Sequence, residues 1–245
     1  MLFFLGLFFC SCGIEDYLFL YPVDKGNIHL ELNTRATINL PALNTNEYYY
    51  FTNFTLYYRI YISDRSLTNE INTYEDRNGI NSALSSDYSV IEPYASSENV
   101  TVSNVGSLFS NRRYYALQLE SANIDRVLGT GSLGRQITLE FDPFPGTRPS
   151  LTIEQQTYPL IRSTGNGSFS PVPTNRYFFN APELNRSENV IATINADVAD
   201  KTNVSGPRYT YVSLYIVVTG SDSNYTPIYS RPTFVGIFRL PEPSY

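Results

Sequence analysis

The chain has 245 residues and a formal net charge of −6, from 17 basic and 23 acidic side chains. That balance excludes the basic surface needed to bind nucleic acid or to dock electrostatically on anionic lipid. Hydrophobic residues make up 42% and aromatics 15%, with 21 Tyr, 15 Phe and no Trp, which excludes a disordered chain and favours pleated, half-buried surfaces.

The first element is the apolar run Leu2–Phe9 within MLFFLGLFFCSCGIEDY. A helix crossing a bilayer needs about 20 apolar residues, and Glu15 and Asp16 end this run too early. Its length fits the apolar region of a signal peptide, although no Lys or Arg precedes it; a buried N-terminal strand is the alternative. Cys10 and Cys12 are the only cysteines. A disulfide between them would close a small, strained ring. A structural zinc site needs about four ligands, and the chain adds only His29. Acylation of Cys12 fits better, because the small residue Ser11 precedes it, whereas Phe9 precedes Cys10.

The segment FFCSCGIEDY resembles the relaxed lipobox of spirochaetal lipoproteins, which tolerates a bulky residue three positions before the cysteine. Phe9 and Cys10 depart from the stricter Leu-Ala-Gly-Cys pattern of other bacteria. YYRIYISD and YSRPTFVGIFRLP in the body are similar to treponemal lipoproteins. The resemblance implies an envelope protein whose Cys12 is acylated, and it implies no activity. Residues 1–11 are then the signal peptide and 12–25 a lipid-anchored tether, whose YLFLYP stretch is free to dock on the fold. Cleavage before Cys12 removes Cys10 and leaves no free thiol, so stability must come from a hydrophobic core.

Further along, Asn27–Leu32 and Ala36–Leu40 read as strands. Phe54–Ser63 (FTLYYRIYIS) alternates with period two: Phe54, Leu56, Tyr58, Ile60 and Ile62 on one face, Thr55, Tyr57, Arg59, Tyr61 and Ser63 on the other. Ile80, Leu84, Tyr88 and Ile91 recur at helical spacing, with Asn78 as cap and Pro93 as stop. Strands are expected at Val100–Val105, Arg113–Glu120, Gln136–Phe141, Ser150–Tyr158, Val190–Ala196 and Thr233–Leu240. A helical turn is expected at Ile124, Val127 and Leu128, before Gly129. Ser163–Asn175 is loop by composition. Tyr209–Thr219 (YTYVSLYIVVT) alternates like the early strand, and LYIVVTGSD matches LYYRIYISD in its first two and last two residues. The match raises a duplicated unit. DPFPGTRP at Asp142–Pro149, with its three prolines, is the candidate boundary. The expected fold is mainly β: an immunoglobulin-like antiparallel β sandwich with a short helical excursion. It is either one large unit or two in tandem, at 26–145 and 150–245.

Catalytic signals are weak. His29 has no nucleophile motif with it and reads as a half-exposed strand residue. LGTGSLG lacks the Gly-Lys-Ser/Thr and βαβ context of a phosphate loop. Glu75/Asp76, Glu140/Asp142 and Asp197/Asp200 are the closest acid pairs for glycoside hydrolysis. DVAD and GSDSN carry calcium-type oxygens, though turn chemistry explains the second equally well. Sequons at Asn53, Asn99, Asn166, Asn185, Asn203 and Asn224 scarcely exceed what composition predicts. The most suggestive surface is aromatic: Tyr57, Arg59 and Tyr61 on one strand face, and Tyr209, Tyr211 and Tyr215 on another. Open, such faces would stack sugars or meet a protein; covered, they stabilise a sheet. The expectation is a non-enzymatic binding, adhesion or assembly module outside the cytoplasm. It is held to the membrane through the lipid on Cys12, needs no cofactor or metal, and has a protein or glycan partner. A carbohydrate-binding module and a carbohydrate-active enzyme are the alternatives.

Overall fold

The computed structural model describes residues 20–31, 34–43, 50–61, 114–141, 148–162, 211–230 and 232–239, with the side chains of Tyr61 and Arg239 left aside. The expected helix at Ile80–Ile91 lies outside them, as do the strands at Val100–Val105 and Val190–Ala196.

The chain enters at Leu20 and Val23, both buried in the core, so part of the expected tether docks on the fold. A short 3-10 turn at Lys25–Asn27 is capped by Asp24, whose carboxylate accepts from the Gly26 amide at 2.8 Å. The strands follow as β1 (Ile28–Glu31), β2 (Arg35–Asn39), β3 (Phe51–Tyr61), β4 (Tyr115–Ala116) and β5 (Gln118–Leu119). After helix α1 (Ile124–Val127) and a 3-10 turn at Thr130–Ser132 come β6 (Gln136–Glu140), β7 (Ser150–Ile153) and β8 (Gln156–Ile161). The last three are β9 (Tyr211–Ser221), β10 (Pro227–Tyr229) and β11 (Thr233–Arg239).

These strands form two antiparallel sheets. One is ordered β1-β2-β6-β7-β8-β5; the other runs β10-β9-β3-β4, with β11 also on β9. β10 and β11 share one edge of β9, β10 opposite Thr219–Ser221 and β11 opposite Tyr211–Ile216, with a register shift between Phe234 and Gly236. The inward faces of the sheets make one core. Ala36, Ile38, Ile137, Leu139 and Leu151 from the first meet Phe54, Leu56, Tyr58, Ile60, Val212, Leu214, Ile216 and Val218 from the second. The molecule is therefore a two-sheet β sandwich, with the inward set on β3 and β9 that the period-two pattern predicts. Phe141 and Phe238, with ring centroids 4.5 Å apart, join the sheets at the end where β9 begins.

Three expectations change. Ser150–Tyr158 is not one strand but the hairpin β7–β8, which turns at Glu154 and Gln155 with φ of 47° and 68°. A two-residue turn of this kind wants Asn-Gly, and Glu-Gln gives no such signal. The described part of the strand expected at Arg113–Glu120 is two short strands that change sheets at Leu117: β4 pairs with β3, β5 with β8. Leu117 is fully buried and its amide donates to the Leu56 carbonyl at 2.7 Å, so the crossing strand contributes to the core. Finally, the described strands do not divide at the proline-rich segment. β6 and β7, on either side of it, are neighbours, and β3 pairs with β9 along its length. The units expected at 26–145 and 150–245 thus both contribute strands to both sheets and pair directly with each other there.

Two substitutions test this architecture. A Cβ on Gly220 would collide with the Tyr50 carbonyl oxygen, so Gly220→Ala is expected to cost about 3 kcal/mol. Gln155→Gly relieves a left-handed residue in the β7–β8 turn and is expected to stabilise by about 1 kcal/mol. Urea midpoints at unchanged slope check both.

Candidate functional site

The pairing of β3 with β9 gathers residues that the sequence separates widely. Facing partners on the outward side of this sheet are Tyr57 with Tyr215, Arg59 with Ser213, and Tyr61 with Tyr211. Phe234 on β11 stands opposite Tyr215, and Tyr229 on β10 opposite Thr219. The candidate residues on β3 and β9 therefore share one face. Tyr209 and Cys12 lie outside the described residues, and for Tyr61 only the backbone is described.

That face is largely covered. Tyr215 is 5% exposed, and Val217 and Ser213 are fully buried. The cover comes from Tyr114, a residue expected only as part of a strand. Its hydroxyl lies 3.1 Å from the Ser213 hydroxyl and its ring meets Tyr215 edge-on at 5.4 Å. The Arg59 guanidinium lies 6.0 Å from the centre of the Tyr114 ring, within cation–π range. Phe234 packs on the other side of Tyr215 at 5.2 Å. Tyr57, Tyr229 and Phe234 close the margins, giving a second, smaller apolar cluster on the outer side of the sheet. Edge-on and tilted rings at these separations attract through their quadrupoles. Such a layer rigidifies a sheet; at Tyr215 it offers no flat ring to a sugar.

Burial also acts on the phenols. It pushes Tyr57 far up, with Tyr229 and Asp125 adding to the effect, and raises Tyr229 in the same direction. Removing a proton there would strand an anion in a poorly solvated layer.

A polar clasp lies further along the same face. The Asn53 amide donates to Asp125 of α1 at 2.6 Å, and the Thr219 hydroxyl donates to the Asn53 carbonyl at 2.6 Å and contacts its side-chain oxygen. The Phe54 amide donates to the Leu128 carbonyl at 2.9 Å. Asn53 is thus 7% exposed and committed to the fold, which removes its sequon as a glycan site. The glycine-rich LGTGSLG stretch is structural too: it follows α1, and Gly129 bridges to Asn53. His29 is an exposed residue of β1 paired with Thr37.

Of the calcium-type loops, DVAD lies outside the described residues. In GSDSN, one Asp222 carboxylate oxygen accepts from the Asn224 and Thr226 amides at 2.8 and 2.7 Å, so its carboxylate serves the turn. Among the described residues no three His, Cys, Asp or Glu side chains cluster to hold a metal. Of the acid pairs, only Glu140 is described; it faces Arg35 and Ser150 across β6.

No protein-family model, curated protein or solved structure matches the chain.

The partly buried phenols of Tyr57 and Tyr229 set an alkaline limit. An unfolded Tyr titrates near pH 10, and the folded values of Tyr57 and Tyr229 are higher. Their contribution to stability is therefore complete below about pH 10 and is lost as pH rises above it. Tyr57→Phe is expected to flatten this loss; urea midpoints for both proteins at about pH 8 and pH 11 measure it.

Proposed function

We propose that the chain is a lipid-anchored protein of the cell envelope, acylated at Cys12, whose β sandwich acts as a non-enzymatic binding, adhesion or assembly module. The observation that carries this reading is how near Cys12 the core lies in sequence. Leu20 and Val23 are core residues, 1% and 2% exposed, and the Thr233 hydroxyl donates to the Val23 carbonyl at 2.7 Å. A core residue thus lies within eight positions of Cys12 in sequence, as befits a domain held close to its acylated end. Each buried acyl CH₂ contributes about 0.8 kcal/mol, and more than one chain makes the attachment stable.

The immunoglobulin-like reading draws support from strand order. β11-β9-β3 follows the G-F-C arrangement of that fold, and β1-β2-β6 follows A-B-E. The order departs where β7 and β8 stand between β6 and β5, since the constant-type sheet goes directly from E to D.

Labelled palmitate and detergent phase partition test the anchor. Wild-type chain is expected to carry label and enter the detergent phase. Cys12→Ala is expected to lose both properties, and Cys10→Ala to keep them. A mature wild-type protein with an unmodified Cys12, or one that retains Leu2–Phe9, overturns the assignment.

A further inference from the structure

We propose that the β9–β10 turn, with Tyr225 at its tip and Tyr21 beside its base, rests in the headgroup layer of the membrane to which the chain is anchored. The inference rests on acylation of Cys12.

Its first support is placement. The Leu20 side chain comes within 3.0 Å of where a Cβ on Gly220 would stand, and Gly220 and Ser221 lead directly into the turn. The entry of the chain and the turn therefore occupy the same end of the sandwich. The opposite end, where β9 begins, is closed by Phe141 and Phe238. From Cys12 to Leu20 the backbone reaches at most about 26–29 Å, whereas β9 alone is about 33 Å long. So short a leash keeps the Gly220 end toward the bilayer.

The second support is chemistry. Tyr225 is 87% exposed and Tyr21 is 59% exposed, two of only three exposed large hydrophobic residues among those described. Tyr225 holds a φ of 62°, where Gly or Asn is the ordinary choice. The turn fixes that geometry through the paired amide bonds to Asp222, and so presents a large ring outward from a rigid tip. Residues 220–229 include no Lys or Arg, so attraction to anionic lipid plays no part. Tyr instead favours the membrane interface through an apolar ring and a wet hydroxyl. A neutral bilayer is the fitting partner, and the contact should be insensitive to salt.

Because the chain has no Trp, Tyr225→Trp installs a single reporter. The mature acylated protein, reconstituted in phosphatidylcholine vesicles, is expected to show blue-shifted emission. Lipids brominated near the headgroup should quench it at least two-fold more than lipids brominated deep in the chains, at low and high salt alike. Glu31→Trp, at the far end of β1, is expected to keep water-like emission and to escape lipid quenching. As a second measure without Trp, amide exchange in Asp222–Thr226 is expected to slow on vesicles, and Tyr225→Ser to reduce that slowing. If the acylated protein is vesicle-bound, yet the indole of the Tyr225→Trp variant stays water-like and the turn amides exchange unchanged, the tip contact alone is overturned. A chain without acyl groups overturns the tip contact and the anchor together.

Discussion

The antiparallel register of β3 on β9 is the constraint on which the rest of this sandwich depends. It sets Leu56 against Ile216 and Tyr58 against Leu214 on the inward side, and Tyr57 against Tyr215 on the outward side. A slip of one residue would exchange the two faces, sending tyrosines into the core and aliphatics outward. β9 is buried along most of its length because it has β3 on one edge, β10 and β11 on the other, the core beneath and an aromatic layer above. Such a strand cannot form before chain segments far apart in sequence have met.

The aromatic layer explains why so tyrosine-rich a protein need not display its rings. Tyr114 reaches Ser213 across 99 positions of sequence and brings Arg59 under a ring. In this arrangement the tyrosines act as filler, with ring edges and faces packed and the Tyr114 hydroxyl meeting a polar neighbour. The clasp of Asn53, Thr219 and Asp125 serves the same sheet through hydrogen bonds. Pinning α1 to β3 satisfies a buried amide that would otherwise be costly. Among the described residues the strongly exposed rings are Tyr225 and Tyr21, near the Gly220 end of the sandwich.

Both halves of the molecule contribute to both sheets, which changes the meaning of the likeness between LYYRIYISD and LYIVVTGSD. The described parts of the two stretches lie on neighbouring strands of one sheet, each with one face turned to the same core. Similar surroundings select similar residues. The proline-rich segment at Asp142–Pro149 connects β6 to β7, consecutive neighbours in the other sheet, and proline suits such a connection because it has no ladder donor to lose.

The class of the fold and the inward set of its central strands follow from alternation with period two, a local property of a pleated chain. Phe54, Leu56, Tyr58 and Ile60 were legible in this way, as were Val212, Leu214, Ile216 and Val218, and the helical turn before Gly129. Tertiary structure alone decided which strand lies beside which, where Arg113–Glu120 changes sheets, that Glu154 and Gln155 form a turn, and that Tyr114 covers Tyr215. Those outcomes depend on contacts between residues distant in the chain, on backbone angles without a glycine or asparagine to announce them, and on space left by neighbouring side chains. A period of two says that a residue faces outward from its sheet; only the assembled molecule says whether water or another ring is waiting there.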